Sequence, residues 1–357
     1  MIRLIRRPAP SQTLIWITPI LAVLATMIAG GILFAMMGKD PVGAIRTIFW
    51  DPLFGQMSGY YRGQLLVKAG PLILIAAGLS VGFRAGVWNI GAEGQYIIGA
   101  LAGGAVGLAA YPTESVWIFP AMVIAGGLGG YLWGMIPAIL KNRFGTSEIL
   151  VSLMLVYVAI NLLFYMSYGP LKNPEGYGFP GSRNLAQYPS AANPELIAGT
   201  GIHWGVVMAL AAVIGVYVLM HRHLLGFKIR VAGAAPKAAR FAGVVPAKLV
   251  SLCLGLSGAL AGLAGVFELT GPTGQITDSF SVGYGFTAII VAFLGRLHPA
   301  GILAAGLLMA LTYIGGDLAQ LTLQLPAAAI QVFQGMLLFF LLGFDVLVHF
   351  RIGRTQA

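Results

Sequence analysis

Long apolar runs recur along this 357-residue chain at intervals too short to hold a water-soluble domain. A helix that crosses a bilayer needs about 20 predominantly apolar residues. Ten segments are read on that criterion: Leu14–Met37, Leu65–Phe83, Ile90–Ala110, Val116–Leu140, Ile149–Tyr168, Trp204–Met220, Leu249–Leu269, Tyr284–Leu294, Ala300–Ile314 and Ala327–Val348. The eighth is short, and is expected to be a half-helix or to share its crossing with the ninth. Only 9% of residues are charged, against about 25% in a soluble domain. The expected fold is therefore an all-α integral membrane protein of about ten transmembrane helices, one permeation domain over residues 1–357. The 50 glycines suit closely packed membrane helices.

The net charge of +10 would point to nucleic acid in a soluble protein. Here the basic residues lie in short loops between apolar runs, so they report topology first, and no nucleic-acid partner is expected. With the N-terminus cytoplasmic, ten crossings return the C-terminus to the same side. Cytoplasmic segments then hold 15 of the 21 Lys and Arg, as the positive-inside rule requires. Lys68 falls inside the second run, near enough to its end to snorkel. Leu14–Met37 is longer than the ~7–15-residue core of a signal peptide, and is read as a retained span. Residues 169–203, rich in Pro, Asn and Gly, read as an external loop. Residues 222–248 carry six Lys or Arg and no acid, and read as a cytoplasmic loop. A faint likeness between spans 2–5 and 7–10 suggests an internal repeat, a common transporter device. The lone Cys253 has no intramolecular disulfide partner.

The stretch GFRAGVWNIGAEGQYIIGA (Gly82–Ala100) sets Asn89, Glu93 and Gln95 among glycines at the entrance of an apolar run. Polar groups in lipid are costly unless they pair or face water. A glycine-broken backbone is tolerated at membrane depth only inside protein or along a cavity. Asn89, Glu93 and Gln95 therefore line a solute path or tie helices together. Glu268, in GVFELTGPTGQ, either contacts a hydroxylated solute or reaches the interface. The small-residue stretches Ile124–Gly134 and Gly255–Gly265 are read as helix-packing surfaces. In the basic loop, Pro236 can open a short helix and Gly243 can close it. Such a helix either docks a cytoplasmic partner or only records topology. No GxxxxGK[ST] phosphate loop is present, the five His show no metal-ligand spacing, and no catalytic set can be assembled. No enzyme activity, metal or bound cofactor is expected of this chain.

GFRAGVWNIGAEGQYIIGALAG resembles the hallmark of permease subunits of nucleoside-type ABC importers, within the branched-chain amino acid and simple-sugar permease superfamily. KNRFGTSEILVSLMLVYVAINL, RVAGAAPKAARFAGVVPAK, GVFELTGPTGQ and GYGFTAIIVAFLGRLHPAGI resemble further segments, so the likeness spans about residues 65–345. Ribose-type permeases usually carry a GIDLSVG-like sequence where this chain has NIGAEGQ. The family often has Asn where this chain has Ala235, and Asp where it has Thr287.

The resemblance implies a multi-pass protein of the bacterial inner (cytoplasmic) membrane. Its partners would be a cytoplasmic ATPase that holds ATP and Mg, a second, related but different permease, and a periplasmic or lipoprotein solute-binding protein. Gly233, Pro236, Ala238, Ala239, Arg240, Phe241 and Gly243 would form the coupling segment seated in the ATPase. The solute expected is small, neutral and polar, a nucleoside or related base or sugar, moved by alternating access. Asn89, Glu93, Gln95 and Glu268 would lie on its route. The competing reading is an ion-coupled secondary transporter using Glu93 or Glu268.

Overall fold

The computed structural model describes residues 2–7 and 11–354, and helix dominates it. The elements in chain order are β1 (Ile2–Arg6), α1 (Gln12–Met36), α2 (Pro41–Phe49), α3 (Asp51–Phe54), α4 (Ser58–Arg84), α5 (Ala92–Ala110), α6 (Ile118–Phe144) and α7 (Glu148–Tyr168). They continue with α8 (Trp204–Arg222), α9 (Leu224–Ala234), α10 (Pro236–Phe241), α11 (Pro246–Glu268), α12 (Tyr284–Leu294), α13 (Pro299–Leu323), α14 (Ala327–His349) and β2 (Phe350–Arg354). Helix starts follow local chemistry. Ser147 accepts the Leu150 N–H at the head of α7, and Asp40 accepts those of Val42 and Gly43 ahead of Pro41 in α2. Gly145, left-handed at φ 67°, ends α6.

Among the described residues, eight helices are long and apolar enough to cross a membrane: α1, α4, α6, α7, α8, α11, α13 and α14. The other two expected crossings are also helices, but different ones. The 19-residue α5 is glycine-rich and has a polar first turn. The 11-residue α12 covers about 16 Å at ~1.5 Å per residue, half of the ~30 Å hydrocarbon core.

Two units divide the chain. The first comprises residues 1–62 and 311–357. In it α1 packs along α14, with Phe34 stacked on Phe333 at 6.0 Å. Outside the all-helical expectation, its described residues include an antiparallel ribbon, in which β1 pairs with β2 from Ile2↔Arg354 to Arg6↔Phe350.

The second unit, residues 63–310, is built on α5, α6 and α11. Their contact explains the two small-residue stretches, which meet each other. A Cβ on Gly130 would lie 2.8 Å from the Cα of Gly262, so only hydrogen fits there and the backbones touch. Residues 169–203 hold one turn of 3-10 helix, Leu185–Gln187. They are pinned to the end of α11, where a π-helical turn, Leu269–Thr273, follows Glu268. Asn193 N–H donates to Thr270 O at 3.0 Å and Leu185 N–H to Gly274 O at 2.7 Å.

Candidate functional site

Between α4 and α5 the chain runs without helix from Ala85 to Gly91, and the sequence-predicted polar residues gather where it does so. Asn89 is 2% exposed and Gln95 1%. The two amides face each other. Asn89 Nδ2 donates to Gln95 Oε1 at 2.8 Å and to Ser257 Oγ on α11 at 2.9 Å. Asn89 Oδ1 accepts from Gly91 N–H at 3.0 Å and Gln95 Nε2 at 3.3 Å. The pair thus closes the non-helical entry of α5 against α11 and uses most of its own hydrogen-bonding capacity in doing so.

Glu93 turns the other way. Its Oε1 accepts from Ser281 Oγ at 2.6 Å and Gly283 N–H at 3.0 Å, and its Oε2 accepts from Gly285 N–H at 2.5 Å. These are the donors at the start of α12. Helix N-termini present unpaired N–H groups that favour a carboxylate. Glu93 supplies one from a different helix, 190 residues away in sequence.

The half-helix gets its place from this contact. The chain after α11 descends beside α5: Ile276 lies against Gly104, Phe280 stacks on Tyr96 at 5.1 Å, and Gly283 meets Glu93. Along α5, Gly104 to Glu93 is about 16 Å at ~1.5 Å per residue. Residues 274–283 therefore run alongside α5 for about that length, with a single 3-10 turn among them, Asp278–Phe280. Along this non-helical stretch Ile276 and Phe280 are buried, whereas Ser279 and Val282 are exposed. Next comes α12, whose Phe293 stacks on Phe83 at 5.2 Å, in the last turn of α4.

Glu268 is buried within the protein, 4% exposed, and lies 3.6 Å from Lys68 Nζ on α4. Tyr284, the first residue of α12, joins them: Lys68 Nζ donates to its hydroxyl at 2.7 Å. Lys68 thus has partners within the protein, from two other segments of the chain. Tyr284, Ser257 and Ser281 were not singled out from sequence. Lys68 was noted only as a lysine in an apolar run, and its partner lies 200 residues further on.

The segment read as coupling folds as α9 and α10. Pro236 is the first residue of α10, preceded by Ala235. At its end Val244 N–H donates to Ala239 O and Gly243 N–H to Arg240 O, both at 3.0 Å, with Gly243 left-handed at φ 78°. This is a Schellman closure, in which glycine is the residue without a Cβ penalty. Ala239 is buried, whereas Phe241 is 95% exposed beside exposed Ala238 and Arg240. Gly233 abuts the carbonyl of Arg84. A cavity of about 250 Å³ separates α10 from Ala85–Val87. The α10 surface therefore adjoins the segment that leads into Asn89 and Glu93.

At the head of α8, His203 caps the helix by accepting the Gly205 N–H at 3.0 Å, and contacts Asn193 Nδ2 at 3.1 Å. Burial lowers its pKa to about 4. No group of three or more His, Cys, Asp or Glu among the described residues could hold a metal.

Eight helices long and apolar enough to cross a membrane, with the short α12 beside them, define a multi-pass membrane protein. The chain belongs to the family of branched-chain amino acid transport system permease components, whose family model matches residues 61–342. It is 34% identical to a glucose ABC transporter permease protein of Haloferax volcanii, over 98% of this chain and 92% of the relative. It is 28% identical to a guanosine ABC transporter permease protein of Bacillus subtilis, over 95% and 96%. A nucleoside ABC transporter permease protein of Lactococcus lactis subsp. cremoris is also 28% identical, over 91% and 90%. No solved structure matches the chain. The protein is thus an ABC-type permease component of the inner membrane, not an enzyme.

Proposed function

We propose that this chain moves a small neutral polar solute, a nucleoside or a related base or sugar, by alternating access driven by partner ATPase subunits. The observation that carries the reading is the interrupted eighth crossing, held by Glu93 at its break and joined to the Lys68–Glu268 pair by Tyr284. A break fixed by a few hydrogen bonds can be remade in a second arrangement, which a continuous helix cannot do. Glu93 acts on the route by holding this break, Asn89 and Gln95 by closing the entry of α5 against α11, and Glu268 stands closer to the solute. Because the buried ion pair is net neutral, the region suits a solute without charge. Relatives named for guanosine, nucleosides and glucose support that solute class.

Gly233, Pro236, Ala238, Ala239, Arg240, Phe241 and Gly243 form the surface that the ATPase engages. A second, related permease completes the route, a solute-binding protein delivers from outside, and ATP and Mg are held by the ATPase. Both termini and α10 lie on the cytoplasmic side.

The test is uptake into vesicles holding the permease with its partner ATPase, second permease and binding protein, using radiolabelled guanosine and glucose. ATP-dependent accumulation of one of them supports the reading. Accumulation driven by an ion gradient without ATPase would establish the secondary-transporter reading in its place.

A further inference from the structure

We propose that the Lys68 ammonium, presented by Tyr284 and Glu268, is the group through which this permease recognises adjacent hydroxyls of its solute; this rests on the transport reading above. An ammonium has three N–H donors and no acceptor. One donor of Lys68 goes to the Tyr284 hydroxyl at 2.7 Å. The Glu268 Oε1 atom, at 3.6 Å, balances the charge from beyond normal hydrogen-bond range. Donor capacity therefore remains, and the Lys68 side chain is 26% exposed while that of Glu268 is 5%. A partly exposed ammonium inside an apolar span faces a water-filled path or protein, since facing acyl chains is strongly unfavourable.

The carboxylate is also incompletely used. Glu268 Oε2 is buried and has no hydrogen-bond partner among the described residues. Such an atom in a folded protein calls for a physical reason. Together the pair offers free donors on Lys68 and a free acceptor on Glu268. A hydroxyl is both donor and acceptor. Two adjacent hydroxyls can take a hydrogen bond from Lys68 and return one to Glu268 when the pair opens. Pentose and hexose rings carry that pattern, and a net-neutral ion pair gives no advantage to a charged solute.

The position of the pair couples recognition to movement. Tyr284 follows Gly283, whose N–H is held by Glu93. Rearrangement at the break moves the Tyr284 hydroxyl and so changes what Lys68 can bind. Recognition and opening thereby share one residue.

The experiment uses the complete transporter in vesicles. The single change Lys68→Met strands the Glu268 carboxylate in a buried site, so the informative variant is Lys68→Met with Glu268→Gln. We expect that double variant to assemble with its partners, to lose at least tenfold in uptake, and to lose most of its discrimination between guanosine and 2′-deoxyguanosine. In the wild-type complex, amine-reactive footprinting of Lys68 read by mass spectrometry should slow at least fivefold with saturating guanosine or glucose, whichever is carried. The footprint does not depend on any variant folding. Wild-type uptake and selectivity in the double variant, or a Lys68 footprint unchanged by a carried solute, would overturn the assignment and leave a structural ion pair. Absence of ATP-dependent uptake by the wild-type complex would instead sink the transport reading beneath it.

Discussion

Replacing Glu93 tests whether the start of α12 is held from α5. In the native arrangement Oε1 takes Ser281 and Gly283 and Oε2 takes Gly285. Glutamine keeps one acceptor oxygen and places an NH₂ where the other stood. If the oxygen keeps the Ser281 side, the Gly285 N–H loses its partner. Hydrogen bonds to charged groups contribute about 1.5–3 kcal/mol each. Loss of one corresponds to about a 10- to 150-fold rise in local opening, at tenfold per 1.4 kcal/mol. Alanine removes all three bonds, about 4.5–9 kcal/mol on the same scale, enough to free the break. Amide hydrogen exchange on peptides covering Ser281–Phe286, in the assembled transporter, reads this directly. Exchange at Gly285 should accelerate by at least tenfold in Glu93→Gln and more in Glu93→Ala. Uptake should fall in the same order while assembly with the ATPase persists. Unchanged exchange at Gly283 and Gly285 in both variants would refute the latch, however transport behaved.

Asn89→Ala removes the amide that ties the entry of α5 to Gln95 and Ser257; with neutral hydrogen bonds at about 0.5–1.5 kcal/mol each, uptake should fall with assembly intact, and wild-type uptake would remove Asn89 from the route. Gly243→Val forces a side chain into the left-handed region at about 1–2 kcal/mol, and Arg240→Glu reverses an exposed charge on α10; both should lower solute-stimulated ATP hydrolysis and uptake together, and normal values in both would make the loop a topological signal alone. In a Cys253→Ser background, cysteines at the exposed positions Tyr177 and Phe241 should label from opposite sides of the membrane, and labelling of both from outside would end the ten-crossing scheme. His203, with its folded pKa lowered to about 4 against an ordinary ~6.5, binds its proton later than the unfolded chain does, so stability should fall as pH drops from about 6.5 to 4. The loss approaches about 3 kcal/mol below pH 4, and a His203→Asn variant whose melting temperature shows the same slope across that window would show the imidazole is not its source.

The ten apolar runs all became helices because length and hydropathy are local quantities, legible residue by residue. The shortness of Tyr284–Leu294 was legible for the same reason. Its consequence was not: nothing within Gly283–Gly285 says that its N–H groups are met by a carboxylate at Glu93. Asn89, Glu93 and Gln95 stood out together as polar residues in an expensive place, yet their division into an amide pair facing α11 and a carboxylate facing α12 needed the packing. Lys68 shows the limit most plainly. Snorkelling follows from its position within one helix, whereas its pairing follows from α11 and α12 arriving beside it. The small-residue stretches announced close contact, and only the structure showed that Gly130 and Gly262 are each other's partners.

The dependence of α5 on its neighbours has a consequence for biosynthesis. Its glycine-rich surface and polar first turn give it little tendency to leave the translocon for lipid unaided, yet α11, which receives Asn89 through Ser257 and packs its glycines against α5, is made about 140 residues later. At ~5–20 residues per second that is a wait of about 7–30 s. During it, α6 and α7 are the partners already synthesised that can shelter the helix. A ribosome stalled after α7 should therefore yield α5 that is inserted but still accessible to lipid-phase crosslinkers, and one stalled well after α11 should yield α5 that is closed to them.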